Sequence, residues 1–491
     1  MTSNEHHHAH RHGENRETPD RNANDFVITI DRAIDKLGTG RFQHRILFAA
    51  GLCFAADAME VMLLAYLSLV LEEEWGLSGT QTATITACVF AGAMTGTLIL
   101  GPLGDKVGRR PVFLLAGTII TVFGVLTSFV TNFVGMVLVR FCVGLGIGGL
   151  TVPYDILAEF LPTETRARYL LMLDYFWTAG VVLVTVIAYF TIGAGISWRV
   201  YVLICAIPCL ASVVLGIFLV PESPRWLALH QRNDEALAIL RSAARINGHD
   251  PDIIFPDTQR LHQEREENAS FSELFVPKWR KLTISIWGVW FGFTYGYYGA
   301  MIVITRVFGK DINGDSIPDF DYASIFLSSL AEAVGLSIII YAVDKIGRVW
   351  AQVLSYGIGG IFLFLFCILA DTASKPVLTS LAFAVRGFEM AGVCVTWVAT
   401  TEILPTEIRS TGHSAANAVA RIGGFVCPYL ISSFSLYTVG VVLLAIHIST
   451  CIFAYNLPET KDKKMGEMSP RGDRGYEFEF ELPDEGGYDR M

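Results

Sequence analysis

Six ionisable side chains lie where the sequence otherwise offers almost only apolar residues. Asp57 and Glu60 stand three apart in the run 45–71, and so on one face if that run is helical. Arg140 falls in the run 134–158, Arg386 and Glu389 in 376–399, and Arg421 in 411–435. A charge at mid-membrane costs several kcal/mol, so it faces a partner, a ligand or water. An acid in low dielectric beside a guanidinium can exchange its ionic pair for a proton, and two close acids tend to share one. That chemistry is coupled binding of protons and a solute. A permanent salt bridge that only fixes helix packing is the plainer alternative.

Counting about 1.5 Å per residue from the run ends puts Asp57 roughly 12 Å, Glu60 roughly 8 Å and Arg140 roughly 9 Å below one surface. By the same count Arg421 and Glu389 lie roughly 17 and 20 Å deep. Arg386 and Glu389 share a helix face and could form a local pair. An arginine fork can equally grip a substrate carboxylate bidentately, and Arg421 is the first choice for that role. The run 282–305 interleaves Trp287, Trp290, Phe291, Phe293, Tyr295, Tyr297 and Tyr298 with Gly288, Gly292, Gly296 and Gly299. Aromatic faces suit a flat or cationic solute, although such a composition is also ordinary near a membrane interface. Tyr295, Tyr298, Arg386, Glu389, Trp397, Asn417 and Arg421 form the expected substrate set.

The elements that must position these groups are long helices. The chain has 491 residues, 52% hydrophobic and 17% charged, and its charges crowd into tails, short turns and one central segment. Twelve runs have the length of a membrane helix: 45–71, 79–103, 111–131, 134–158, 168–192, 198–220, 282–305, 322–343, 350–370, 376–399, 411–435 and 437–457. The expected fold is an all-α membrane protein with twelve transmembrane helices in two pseudo-symmetric six-helix bundles, 45–220 and 282–457. Residues 1–44 read as a disordered cytosolic tail, 221–281 as a cytosolic linker with amphipathic helices, and 458–491 as a cytosolic tail. Residues 1–40 lack the apolar core of a cleavable signal, so the first span is expected to act as its own insertion signal. Lys and Arg in the short loops place both termini in the cytosol. All nine cysteines fall inside apolar runs and read as core residues, without disulfide or metal-ligand spacing.

The halves repeat one another. Gly101-Pro-Leu-Gly-Asp105-Lys-Val-Gly-Arg109-Arg110 has an echo in Asp344-Lys-Ile-Gly-Arg348. Arg140 to Gly144 matches the segment starting at Arg386, and Glu159 to Arg166 matches Glu402 to Arg409. Pro221-Glu222-Ser223 matches Pro458-Glu459-Thr460. A duplicated bundle with a binding cavity between the copies is how secondary transporters are built.

From 40 to 460 the chain resembles the major facilitator superfamily. The resemblance rests on the charged hairpin from Gly101 to Arg110 and on Arg140, Gly144 and Gly148 in span 4. Pro221-Glu-Ser-Pro-Arg-Trp226 is similar to the segment after span 6 in organic cation transporters, synaptic-vesicle-2-related proteins and sugar porters. Ala56-Asp57-Ala-Met-Glu60 and Arg421-Ile-Gly-Gly424 point to the synaptic-vesicle-2-related group. Two departures qualify this: only Glu72 to Gly79 follows span 1, without the large external loop of organic cation transporters, and no large domain follows span 7. The resemblance implies proton coupling through Asp57, Glu60 and Arg140. It also implies breakable cytosolic gates: Asp105, Arg109, Glu159, Arg166 and Glu222 in one half, Asp344, Arg348, Glu402, Arg409 and Glu459 in the other.

The expected function is therefore secondary active transport of a small organic ion, an organic acid or zwitterion, in symport with protons and by alternating access. A passive facilitator of a sugar-like or cationic solute, or a non-transporting membrane binding protein, stays open. No nucleophile–base set, metal quartet or phosphate-binding Gly-rich loop supports an enzyme or ATP-driven pump. Expected partners are a small-molecule substrate, protons and the lipid bilayer of a plasma or vesicle membrane, with no cofactor, no metal and no nucleic acid, in a functional monomer. The segment Asp311 to Asp321 resembles a calcium loop but lacks the glycine and the bidentate Glu, so a solvated acidic turn is the better reading. The His6–His12 cluster and the Glu477–Glu481 run read as features of disordered tails.

Overall fold

The structure, a computed structural model, describes residues 27–149, 151–256, 259–262, 270–309, 320–404 and 406–461, with the side chains of 151, 163, 167, 406, 407, 409 and 410 also outside the description. Strand β1 (Val27–Thr29) leads into α1 (Ile30–Leu37), and the first half follows as α2 (Arg41–Glu74), α3 (Gly79–Val107), α4 (Arg109–Thr127), α5 (Phe133–Ile147), α6 (Thr151–Glu159), α7 (Thr163–Phe190), α8 (Trp198–Cys205) and α9 (Ile207–Leu219). The linker carries α10 (Pro224–Leu229), α11 (Asn233–Asn247), α12 (Pro251–Ile254), strand β2 (Arg260–His262) and a 3-10 turn, Phe271–Phe275. The second half is α13 (Pro277–Phe308), α14 (Tyr322–Ile346), α15 (Arg348–Leu369), α16 (Lys375–Ile403), α17 (Thr406–Ser433) and α18 (Leu436–Tyr455).

Among the described residues, ten spans are long and apolar enough to cross a membrane, with α5–α6 and α8–α9 each forming one span. Helices α13 and α17 have the length but not the hydropathy, and they complete the twelve. Their shortfall has a reason: α13 spends its length on Trp, Tyr and Gly, and α17 carries His413, Asn417 and Arg421. Helices that wall a polar cavity look less apolar than helices that face lipid.

Neighbour relations repeat between the halves. Helix α2 packs on α7 as α13 packs on α17, α3 on α5 as α14 on α16, and α4 on α9 as α15 on α18. The halves meet where α3 lies on α17 and α7 on α14. Small residues permit the closest of these contacts. A Cβ on Gly144 or Gly148 of the α5 motif would run into the α3 carbonyls of Val89 or Ala93, so the glycine spacing in span 4 is a packing device.

Secondary structure begins well before residue 44, against the expectation of a disordered tail. β1 pairs in parallel with β2, and α1 buries Ile30, Ala33, Ile34 and Leu37, a spacing that marks one helix face. Asp31 on its exposed side pairs with Arg225 and lies 3.9 Å from Arg166, tying α1 to α7 and α10. Charged neighbours hid this short apolar period in the sequence.

Candidate functional site

Between the halves lies a cavity of about 320 Å³. Its walls run from Asp57, Tyr298, Asn417 and Arg421 deep inside to Arg166 and Glu402 at the end that carries the charged hairpins, called here the latch face. On the opposite face aromatic side chains fill the gap. Tyr66 of α2 packs edge-on to Phe320 at 5.0 Å and stacks on Tyr322 at 6.1 Å, and the Thr84 and Tyr429 hydroxyls meet at 3.3 Å between α3 and α17.

Of the expected substrate set, Tyr298, Trp397, Asn417 and Arg421 line this cavity. Asp57 lines it too, 7% exposed, and its Oδ1 has no hydrogen-bond partner. The cation acting on Asp57 is Arg421, which also acts on Tyr298. Thus α2, α13 and α17 bring an acid, a phenol and a guanidinium together from both halves.

The other expected residues go elsewhere. Glu60 and Arg140 form their own buried pair at 2.5 Å, without Asp57. Arg386 does not pair with Glu389. It bonds Glu332 of α14 at 2.7 Å, while Glu389 Oε1 lies 2.5 Å from His447 Nε2 on α18, and His447 Nδ1 faces the Leu443 carbonyl at 2.6 Å. Arg386 and Glu389 are therefore packed among the second-half helices and do not wall the cavity. A shared helix face had suggested a pair, but i, i+3 neighbours part company when stronger partners sit on adjacent helices. Tyr295 is also off the cavity wall, with its carbonyl accepting from Cys427.

Sequence reasoning missed several groups. Asp174 of α7 and Trp177, one turn on, both line the cavity, as do Tyr154 and Trp290. Trp397 packs on Trp290 at 4.9 Å and on Tyr154 at 5.8 Å, joining the halves through rings. Asp174 and Tyr154 were visible as polar residues inside apolar runs, which was signal enough to find them.

At the latch face the two hairpins are built alike. Arg109 reaches Asp105 at 2.8 Å, Glu159 at 3.6 Å and Asp155 at 3.7 Å. Arg348 reaches Asp344 and Glu402, each at 2.9 Å. Glu222 accepts from the backbone N–H groups of Arg109 and Arg110, as Glu459 does from those of Arg348 and Val349. Each glutamate thereby satisfies free donors at a helix N-terminus. Arg166 stands apart from the Arg109 cluster and bonds the Leu161 carbonyl at 3.2 Å. The Arg409 side chain lies outside the described residues, as do the His6–His12 cluster, Asp311 to Asp319 and the Glu477–Glu481 run.

A family model described as "Sugar (and other) transporter" matches residues 22–471. The chain belongs to this family. The synaptic vesicle 2-related protein of Pongo abelii is 30% identical over 472 residues, which span 92% of this chain and 84% of that protein. The putative transporter svop-1 of Caenorhabditis elegans is 32% identical over 426 residues, spanning 82% and 79%. The organic cation/carnitine transporter 7 of Arabidopsis thaliana is 30% identical over 481 residues, spanning 87% and 94%. Among solved structures, the partially occluded inward-open xylose transporter XylE of E. coli matches with a TM-score of 0.70 at 19% identity, over 86% of this chain and 99% of that one. The chain is thus a multi-pass membrane transporter of the major facilitator superfamily, and not an enzyme.

Proposed function

We propose that this transporter is secondary active, moves a small organic ion by alternating access, and takes up its coupling proton at Asp57. One observation carries the reading: Asp57 is buried on the cavity wall with one oxygen unbonded, and its counter-charge, Arg421, comes from the other half. A charged Asp57 engages Arg421. A protonated Asp57 releases the guanidinium, which can then hold an anionic group of the solute. The Asp57 carboxylate and the solute thus compete for one arginine across the interface that rocking must open, and a proton on Asp57 favours the solute. The Arg109 and Arg348 clusters act as gates in this reading, each tying together the helix ends of one half. The lysine and arginine bias puts the latch face and both termini in the cytosol.

A sugar is the weaker reading, because a polyol requires a dense set of neutral donors and acceptors. Among the described residues this cavity's walls hold Asn417 as their one side-chain amide, with tyrosine and threonine hydroxyls beside aromatic, aliphatic and charged groups. The test is uptake into proteoliposomes from a panel of organic acids, cations, zwitterions and sugars, with and without an imposed pH gradient. The expected result is gradient-driven accumulation of an organic ion that Asp57→Asn abolishes while solute exchange persists. Accumulation indifferent to both the gradient and Asp57 would leave a passive facilitator. Absence of any flux would favour a binding protein.

A further inference from the structure

The cavity's charges can be paired off one by one. Arg421 is the cation that acts on Asp57, although the two form no ion pair within 4.0 Å. Glu402 is held by Arg348 at 2.9 and 3.1 Å and by the Thr460 hydroxyl at 2.6 Å. Arg166 has the Leu161 carbonyl and Asp31. Asp174 is left over: among the described residues no Lys, Arg or His forms an ion pair with it, and the polar group acting on it is the Cys394 thiol, a weak donor. A half-buried carboxylate in a membrane-spanning cavity carries a desolvation cost that one thiol does not offset.

Its surroundings are aromatic on both sides of the interface. Asp174 and Trp177 sit one turn apart on α7, and Cys394 and Trp397 one turn apart on α16, so the contact from Asp174 to Cys394 sets these two faces against each other. Tyr154 lies within electrostatic reach of Asp174, and Trp290 backs Trp397. The indole N–H groups of Trp177 and Trp290 are already committed, to the Tyr297 and Thr400 hydroxyls at 2.7 and 2.9 Å. Trp177 and Trp290 therefore offer the cavity π surface and not hydrogen bonds. A carboxylate without a cation, framed by π faces, is complementary to an ammonium group with little hydrogen-bonding capacity.

We propose that Asp174, with Tyr154, Trp177 and Trp397, forms a subsite for a cationic group, so that the carried solute bears a quaternary or tertiary ammonium charge. The inference rests on the transport reading of the cavity and narrows it. With Arg421 available for an anionic end, the solute is a cation or a zwitterion and not a simple organic acid. Because α7 and α16 belong to different halves, a bound cation also draws the halves together.

The test uses the purified full chain and its own fluorescence, since Trp177, Trp290 and Trp397 all line the cavity. Tetramethylammonium and tetraethylammonium should give a saturable change, benzoate a weaker one and xylose none. Asp174→Asn should weaken ammonium binding by about tenfold or more, Asp174→Glu should retain most of it, and Trp397→Leu should weaken it more than Trp397→Phe. The Trp397 pair keeps the test decisive if Asp174→Asn fails to fold. A folded Asp174→Asn protein that binds the ammonium probes as tightly as the unmodified protein would overturn the subsite, and so would no saturable response to either probe. Proteoliposome flux separates the two proposals. Proton-driven uptake of an anion without ammonium binding removes the subsite alone, whereas ammonium binding without flux removes the transport reading and leaves the subsite standing.

Discussion

Arg140 and Arg386 occupy matching places in the two halves, yet each is neutralised from a different direction. Arg140 takes Glu60 from α2, at 2.5 Å. Arg386 takes Glu332 from α14, at 2.7 Å, and Glu332 also accepts from the Tyr297 hydroxyl at 2.8 Å. Tyr297 in turn accepts from Trp177 of the first half. The first-half pair is thus self-contained, while the second-half pair is the end of a chain of hydrogen bonds that begins on the cavity wall. The duplicated architecture demanded a buried arginine at this place in both bundles. Only one of them became connected to the cavity and to the opposite half.

The comparison breaks first on stability. Removing one member of a buried ion pair leaves an uncompensated charge, at a cost of about 3–5 kcal/mol. Arg140→Met strands Glu60, which has no other hydrogen-bond donor among the described residues. Arg386→Met strands a Glu332 that keeps Tyr297. Both variants should melt earlier in detergent, Arg140→Met by the larger amount, and Arg140→Met/Glu60→Met should recover most of the loss. A larger drop for Arg386→Met would mean that the link through Tyr297 does not support Glu332.

The hairpins should show the opposite result, a symmetric one. Gly108 has φ +119° and Gly347 has φ +86°, values that other residues adopt at a cost. A Cβ at Gly108 would also meet the Glu222 carboxylate, and one at Gly347 the Glu459 carboxylate. Gly108→Ala and Gly347→Ala should each cost about 1–3 kcal/mol, equal within the error of a melting curve. Unequal losses would show that one hairpin bears more of the half's rigidity than the other.

These symmetric parts were the legible ones. Motifs such as Pro221-Glu222-Ser223 and Pro458-Glu459-Thr460 recur in order, and the structure puts both glutamates on the same backbone donors. The twelve helices were legible because apolar length is a property of each segment alone. Lateral neighbours were legible only where the resemblance set two spans side by side, as for Glu60 and Arg140. Counting along a helix gives depth and face, and on that basis Arg386 and Glu389 looked like partners. Which helix lies beside which is decided by packing, so Glu332 and His447, on α14 and α18, were unreadable as their true partners. Asp174 had no marker in the repeated motifs, and its place on the cavity wall is set by how α7 packs.

The smallest difference lies at the face opposite the latches, where span 2 and span 8 begin. Ser78 caps α3, accepting from the Gln81 N–H while the Gln81 side chain returns to the Ser78 N–H. Asp321 caps α14 instead, accepting from Ser324 and pairing with Lys375 at 2.9 Å. Burial pushes the Asp321 carboxyl up, but the bonds from Ser324 and Lys375 outweigh it and hold the group below its ordinary value of 3.8. An acid depressed in the folded state contributes stability that is complete above its unfolded value and is lost as pH falls through the lower folded one. The second half should therefore lose a little stability below about pH 4 through this cap, and the first-half cap should lose none. Asp321→Ser, which copies the first-half cap, should cost less than about 1 kcal/mol at neutral pH and abolish that part of the acid sensitivity. Melting temperatures of the two proteins between pH 3 and 7 decide it: curves that converge on acidification support the cap, and curves that stay parallel place the acid sensitivity elsewhere.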